Sequence, residues 1–239
     1  MWIRPIVRHD APDRHLLFFP WAGSGTEGIF HWKAHVPGQA AFSGVQLPGR
    51  GSRFKDAPVT SLQTLVDAVV AEIKALPRPP TVLQGHSLGA LLAYEVCQRL
   101  QRDAVTRIER LVVSGLSAPH VLRHEQRIAH LPDETFLAHI KALDGIPEKV
   151  LALPQLVQLF LPILRADFTL FESYVFDPTH PALDCQLIVC GGREDASTSE
   201  QGLAAWRELA GGSFEMRLFD GGHFFIEPHA ARVLELALA

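Results

Sequence analysis

Ser87 is the residue in this chain best placed to act as a nucleophile, because it stands at the centre of Gly85-His86-Ser87-Leu88-Gly89-Ala90. An apolar run from Thr81 to Gln84 leads in and a helix-forming run from Leu91 to Leu100 leads out, so the segment reads as strand, tight turn and helix. The flanking glycines leave room for strand and helix to approach closely. The hydroxyl would then stand clear at the helix N-terminus, where the helix dipole and the Leu88 N–H face a developing oxyanion. A glycine-bounded turn whose serine only caps the helix would carry the same five letters.

A serine hydroxyl is a poor nucleophile near neutral pH, so the chemistry needs a histidine base and a carboxylate to orient it. Of the twelve histidines, His9, His15, His31 and His35 precede the serine and His86 lies inside the turn. His31 and His35 have helical spacing but no evident third ligand for zinc. His223, in Phe219-Asp220-Gly221-Gly222-His223-Phe224-Phe225, follows a strand-like run and is expected on a loop at a strand's carboxyl end, where α/β sheets place their chemistry. His229, just after Pro228, is the second choice and reads as a surface helix start. For the acid, the buried-strand pattern Cys185 to Cys190 is followed by Gly191-Gly192-Arg193-Glu194-Asp195. Asp195 completes the order Ser87, Asp195, His223, which is the α/β-hydrolase order. The earlier strand 110–113 runs into a segment without a carboxylate. Glu194 competes with Asp195 but lacks its Gly-x-x-Asp spacing, and Asp220 is expected to cap its own loop. After the apolar strand Leu16-Leu17-Phe18-Phe19, the small residues of Pro20-Trp21-Ala22-Gly23-Ser24-Gly25 suit a backbone donor; the Ala22 N–H is assigned as partner to that of Leu88 in an oxyanion hole.

Further stretches join these in order: Gln46-Leu47-Pro48-Gly49-Arg50-Gly51-Ser52-Arg53, Ser114-Gly115 with Ala118-Pro119, Leu131-Pro132, and Leu164-Arg165-Ala166-Asp167-Phe168. Together with Phe19 to Gly23, the serine turn and the Gly-Gly-His-Phe-Phe segment, they resemble the type II thioesterases, free-standing editing hydrolases that accompany polyketide synthases and nonribosomal peptide synthetases. The resemblance runs nearly end to end. It implies an α/β-hydrolase fold, a mostly parallel central sheet flanked by helices with a helical lid. It also implies hydrolysis of acyl thioesters on the phosphopantetheine of acyl or peptidyl carrier proteins, clearing stalled or misprimed groups. No metal or redox cofactor is expected; phosphopantetheine belongs to the substrate's carrier. Trp21 stands where family members more often carry His, Tyr or Phe and is expected in the pocket wall. The same triad would serve a general carboxylesterase or an acyltransferase, and a non-enzymatic carrier-binding protein is the reading from another class.

The elements that must hold these residues fit one α/β domain over 1–239, with strands near Leu16, Val45, Val82, Leu111, Cys185 and Phe214. A helix over 61–76 has Leu62, Leu65, Val66, Val69 and Ile73 on one face. The segment 119–181 breaks the β/α alternation and reads as a helical lid, with helices over 133–143 and 155–174. Its Phe168 and Phe171 are expected to line the substrate pocket. Residues 150–164 lack charge but are too short for a membrane span and contain Pro154 and Pro162.

A net charge of −4 leaves no footprint for nucleic acid. Docking an acidic carrier therefore needs a local basic patch, assigned to Arg50, Arg53 and Lys55, with Arg123, Arg127 and Lys149 as the alternative; Arg50 and Arg53 would otherwise only brace their loop by hydrogen bonding. Three cysteines without a CxxC pair, and a start lacking an apolar stretch of signal-peptide length, suggest a reduced, cytoplasmic protein.

Overall fold

Successive residues of a strand point to opposite faces of a sheet, so a short run apolar at every position must be covered on both sides. The computed structural model, which describes residues 1–104, 106–122, 127–142 and 153–239, bears this out. Its seven strands are β1 (Ile3–Val7), β2 (Arg14–Phe19), β3 (Ala40–Val45), β4 (Val82–His86), β5 (Arg110–Ser114), β6 (Gln186–Gly192) and β7 (Phe214–Phe219). They form one sheet in the order β1-β3-β2-β4-β5-β6-β7, in which only β1 is antiparallel to its neighbour.

Leu17, Phe19, Leu83, Leu111, Val113, Leu187 and Val189 face a core shared with α1 (Leu62–Ala75) and α2 (Leu88–Asp103). Leu16, Phe18, Val82, Val112 and Ile188 face the other way, onto the C-terminal helix Ala230–Leu238 and the turn of 3₁₀ helix Phe30–His35. Helix α1 begins where Ser61 accepts the Thr64 N–H, and it buries Leu65, Val66, Val69, Val70 and Ile73.

Strand β1 is absent from the sequence reading. It is an antiparallel edge strand with a register shift between Pro5 and Val7, the kind of position where a sheet tolerates a proline. Two further boundaries differ. Strand β4 runs on to His86, and α2 begins at Leu88, so the whole turn is compressed into Ser87.

Between β5 and β6 the described residues hold no strand, as the broken alternation suggested, but a 3₁₀ turn over Pro119–Val121 and two α-helices, α3 (Asp133–Ala142) and α4 (Pro154–Glu172). Pro162 lies inside α4, which continues through it. Ile128, Phe136, Ile140 and Leu164 make a small separate core, with Phe168 against its edge. Arg165 ties the pair together: it bonds Asp133, donates to the Ala129 carbonyl and lies over the Phe136 ring. Among the described residues no helix is long and apolar enough to cross a membrane.

Candidate active site

The registers Phe19↔Gly85, Ser114↔Cys190 and Gly192↔Phe219 bring the carboxyl ends of the parallel strands to one edge. The loops after β2, β4, β6 and β7 therefore emerge together. β3 and β4 lie on opposite sides of β2, so the chain changes direction between β2 and β4, and a crevice opens there. The Ala22 loop and Ser87 flank it.

Ser87 has φ 54° and ψ −122°, a conformation that side chains rarely adopt. The turn is this tight because strand and helix nearly touch: a Cβ on Gly85 would collide with the Gly89 carbonyl, and one on Gly89 with the Phe19 carbonyl. The Ser87 side chain makes no cap bond to α2, which removes the capping account of the serine. It lines a cavity of about 180 Å³ with His223, Ala22, Leu88, Phe168 and Phe171.

His223 Nδ1 lies 2.9 Å from Asp195 Oδ2, in a side-chain pair that is 12% and 1% exposed. With Nδ1 committed to the carboxylate, Nε2 is the nitrogen left for chemistry. Asp195 is buried while Glu194 beside it is exposed, so the loop separates the two competing acids. Burial alone would raise the Asp195 pKa. The His223 hydrogen bond and charge, with bonds from Ser197, outweigh it and hold the carboxyl below its ordinary value. Asp220 instead pairs with Arg193, and His229 starts the C-terminal helix with its ring on the Asp220 carbonyl.

Ser197 is a partner the sequence reading missed. Its hydroxyl and its backbone N–H both bond Asp195 Oδ1, at 2.6 and 2.9 Å, and its oxygen lies 2.9 Å from His223 Nδ1. The signal was present: a serine two residues after an aspartate forms such turns. His86 is buried under the His223 ring, 4.9 Å between centroids, with Nδ1 on Ser114 Oγ. Burial keeps its pKa well below 6.5.

Three expectations need correction. Trp21 does not line the cavity with its neighbour Ala22. It packs edge-on against His86 and Phe224, because consecutive side chains on this loop diverge to the crevice and to the core beside it. Arg50 is no docking residue: it is 5% exposed and grips Asp167 through both terminal nitrogens. Arg53 is half-buried, bonded to Asp56 at 2.7 Å and stacked 3.9 Å over the Trp2 ring. Lys55 alone of that cluster is exposed. Of the alternative set, Arg127 is exposed, and Arg123 and Lys149 fall outside the described residues.

This fold, with a serine in a strained strand-to-helix turn and a His–Asp pair from the loops after β7 and β6, defines a serine hydrolase of the α/β-hydrolase class. Residues 14–238 match the family model for the thioesterase domain, and the chain belongs to that family. It is 33% identical to the gramicidin S biosynthesis protein GrsT of Aneurinibacillus migulanus, over 95% of this chain and 88% of that one. It is 32% identical to the thioesterase PikA5 of Streptomyces venezuelae, over 95% and 80%. Among solved structures, the type II thioesterase BorB of the borrelidin biosynthetic cluster superposes with a TM-score of 0.88 at 30% identity, covering 98% of this chain and 95% of that one. YbtT, the type II thioesterase of the yersiniabactin pathway, superposes at 0.87 and 29% identity over the whole of both chains. The resemblance read from the sequence motifs is met by these relatives.

Proposed function

We propose that this thioesterase hydrolyses acyl groups held on the phosphopantetheine of carrier proteins, clearing stalled or misprimed chains from a polyketide synthase or nonribosomal peptide synthetase. The observation that carries this reading is Ser87, strained and uncapped, in one cavity with a histidine whose far nitrogen is fixed on Asp195.

Ser87 Oγ attacks the thioester carbonyl carbon as its proton passes to His223 Nε2. Asp195 holds the imidazole in the tautomer that can accept and stabilises the imidazolium. The N–H groups of Leu88 and Ala22 take the oxyanion; Leu88 opens α2, so its N–H has no intrahelical acceptor. Collapse breaks the C–S bond, and His223 returns its proton to the leaving thiolate. Water, deprotonated by the same nitrogen, then hydrolyses the acyl-Ser87 ester and restores the free serine. No metal or redox cofactor enters this scheme; phosphopantetheine arrives and leaves with the carrier.

The insertion carrying α3 and α4 acts as a lid, with Phe168 and Phe171 offering the apolar wall for the acyl chain. All three thiols are free, in keeping with a cytoplasmic place of work beside the synthase.

The test is intact-mass analysis of a panel of acyl-loaded carriers before and after exposure to enzyme, with Ser87→Ala as control. Loss of the acyl mass with the phosphopantetheine arm retained is the expected result. Rapid cleavage of a matched oxygen ester with carriers untouched would replace this reading by that of a general esterase.

A further inference from the structure

Asp167 is a buried carboxylate that the scheme above leaves unused. It sits on α4, 2% exposed, and borders the same cavity as Ser87. Three donors converge on it from two distant parts of the chain: the Gly23 N–H at 2.7 Å and Arg50 Nη1 at 2.5 Å on Oδ2, and Arg50 Nη2 at 2.8 Å on Oδ1.

The loop it holds is the one that carries Ala22. Ser24 N–H bonds back to the Trp21 carbonyl, closing a turn whose central residues are Ala22 and Gly23, with Gly23 at φ +78°. The Gly23 N–H belongs to the peptide that joins these two residues, so a bond fixing it also fixes the plane next to the Ala22 N–H. Arg50 is itself pinned: Nε donates to the Pro48 carbonyl, Nη1 reaches the Ser24 carbonyl at 3.4 Å, and Gln46 Nε2 bonds the Arg50 carbonyl. The guanidinium thus backs the carboxylate from a rigid loop, and both are shielded from water.

We infer that Asp167 is a positioning residue for the oxyanion hole, holding the Ala22–Gly23 turn from the lid helix so that the donor is set only while α4 is seated. Phe168, the next residue on α4, lies in the cavity wall. An acyl chain that packs against Phe168 therefore favours the seating that orders the oxyanion loop, and substrate fit is linked to turnover as well as to binding. This inference rests on the assignment of Ala22 made under the proposed function.

Asp167→Asn tests it, because the amide keeps the shape but has one acceptor oxygen for three donors and turns an NH₂ toward a guanidinium. The substrate is a small acyl thioester without a carrier, and the second probe is an acyl trifluoromethyl ketone, whose hydrate-like adduct with Ser87 occupies the oxyanion site. A displaced donor predicts a fall in kcat of about 10- to 100-fold, KM within about twofold, and ketone affinity reduced by the same factor as kcat. Arg50→Lys, which keeps the charge and the carboxylate's bond to Gly23, should show the same parallel loss at a smaller size and serves if the first variant does not fold. Variants that melt earlier yet keep wild-type kcat and ketone affinity below their melting point would overturn the inference and leave the pair a structural brace. If the wild type cleaves no thioester but forms the ketone adduct, the functional reading falls, and the clamp is still judged by adduct affinity.

Discussion

Replacing Asp195 with Asn should cost this enzyme more than any neighbouring change that preserves shape. Asp195 Oδ2 lies 2.9 Å from His223 Nδ1 and the carboxylate is almost wholly enclosed, so water cannot stand in for it. An Asn amide aimed at Nδ1 would move the imidazole proton to Nε2, the nitrogen that must be bare. In hydrolases of this design the wrong tautomer costs about 10⁴ in kcat, or about 5.5 kcal/mol. Here the structure tempers that figure. Ser197 Oγ is also 2.9 Å from Nδ1 and can turn a lone pair to it, preserving some of the correct tautomer, so the loss should lie nearer 10³ than 10⁴. Ser197→Ala alone removes a 2.6 Å bond to a carboxylate that keeps other partners, and should lower kcat about tenfold. The double variant, with no oxygen left to hold the correct tautomer, should reach the full 10⁴, about tenfold below Asp195→Asn alone. The assay is kcat with a small acyl thioester for the four forms, alongside Glu194→Gln, which should stay near wild type because that side chain is exposed. A double variant no worse than Asp195→Asn, or an Asp195→Asn retaining a tenth of the activity, would refute the reasoning.

Phe168→Ala should reorder acyl-chain preference, each methylene still buried being worth about 0.8 kcal/mol; equal losses for every chain length would make Phe168 a core residue only. His86 supplies a stability signature. Its folded pKa is depressed by burial, so the unfolded chain binds its proton first, and stability falls as pH drops below about 6.5 toward the folded value. Between about pH 6.5 and 5.5 wild type should therefore lose stability more steeply than His86→Gln in denaturant melts, and identical pH slopes would contradict it. Lys55→Glu should weaken kcat/KM for an acyl carrier, more at low salt, and leave a carrier-free thioester unchanged; equal effects on both would show that Lys55 plays no part in docking.

What the sequence exposed well was chemistry built from neighbours. Gly85, Ser87 and Gly89 specify the elbow through local sterics, and the Gly-Gly spacing before Asp195 and His223 places each on a loop after a strand. The central strands β2, β5 and β6 were legible for the same reason, from the apolar runs 16–19, 111–113 and 187–190 between turn residues, while β7 showed itself by alternating apolar and charged side chains. β1 was not, because an edge strand buries only part of one face and shows no such run. Trp21 was misplaced by a related limit: composition shows that a loop lies at the crevice, but not which of two adjacent side chains turns inward.

Arg50 shows most directly where reading along the chain stops. Its charge and its loop suited a docking patch and a hydrogen-bonded brace equally, and nothing along the chain decides between the two. The partner that decides its role is 117 residues away on a helix of the insertion, and only the fold brings them together. Once buried as a pair, neither can be dispensed with singly, since removing one leaves the other's charge enclosed without compensation. An enclosed ion pair is a poor way to gain stability when apolar side chains of the same size would serve. Its place beside the proposed oxyanion loop is better explained by direction: a carboxylate with three fixed donors orients a backbone N–H more narrowly than packing alone can. The proposed nucleophile Ser87 and base His223 can thus be read from their own loops, while the shape of the space in which their charge would develop rests, on the inference above, on Arg50, Asp167 and Gly23, which only the tertiary structure unites.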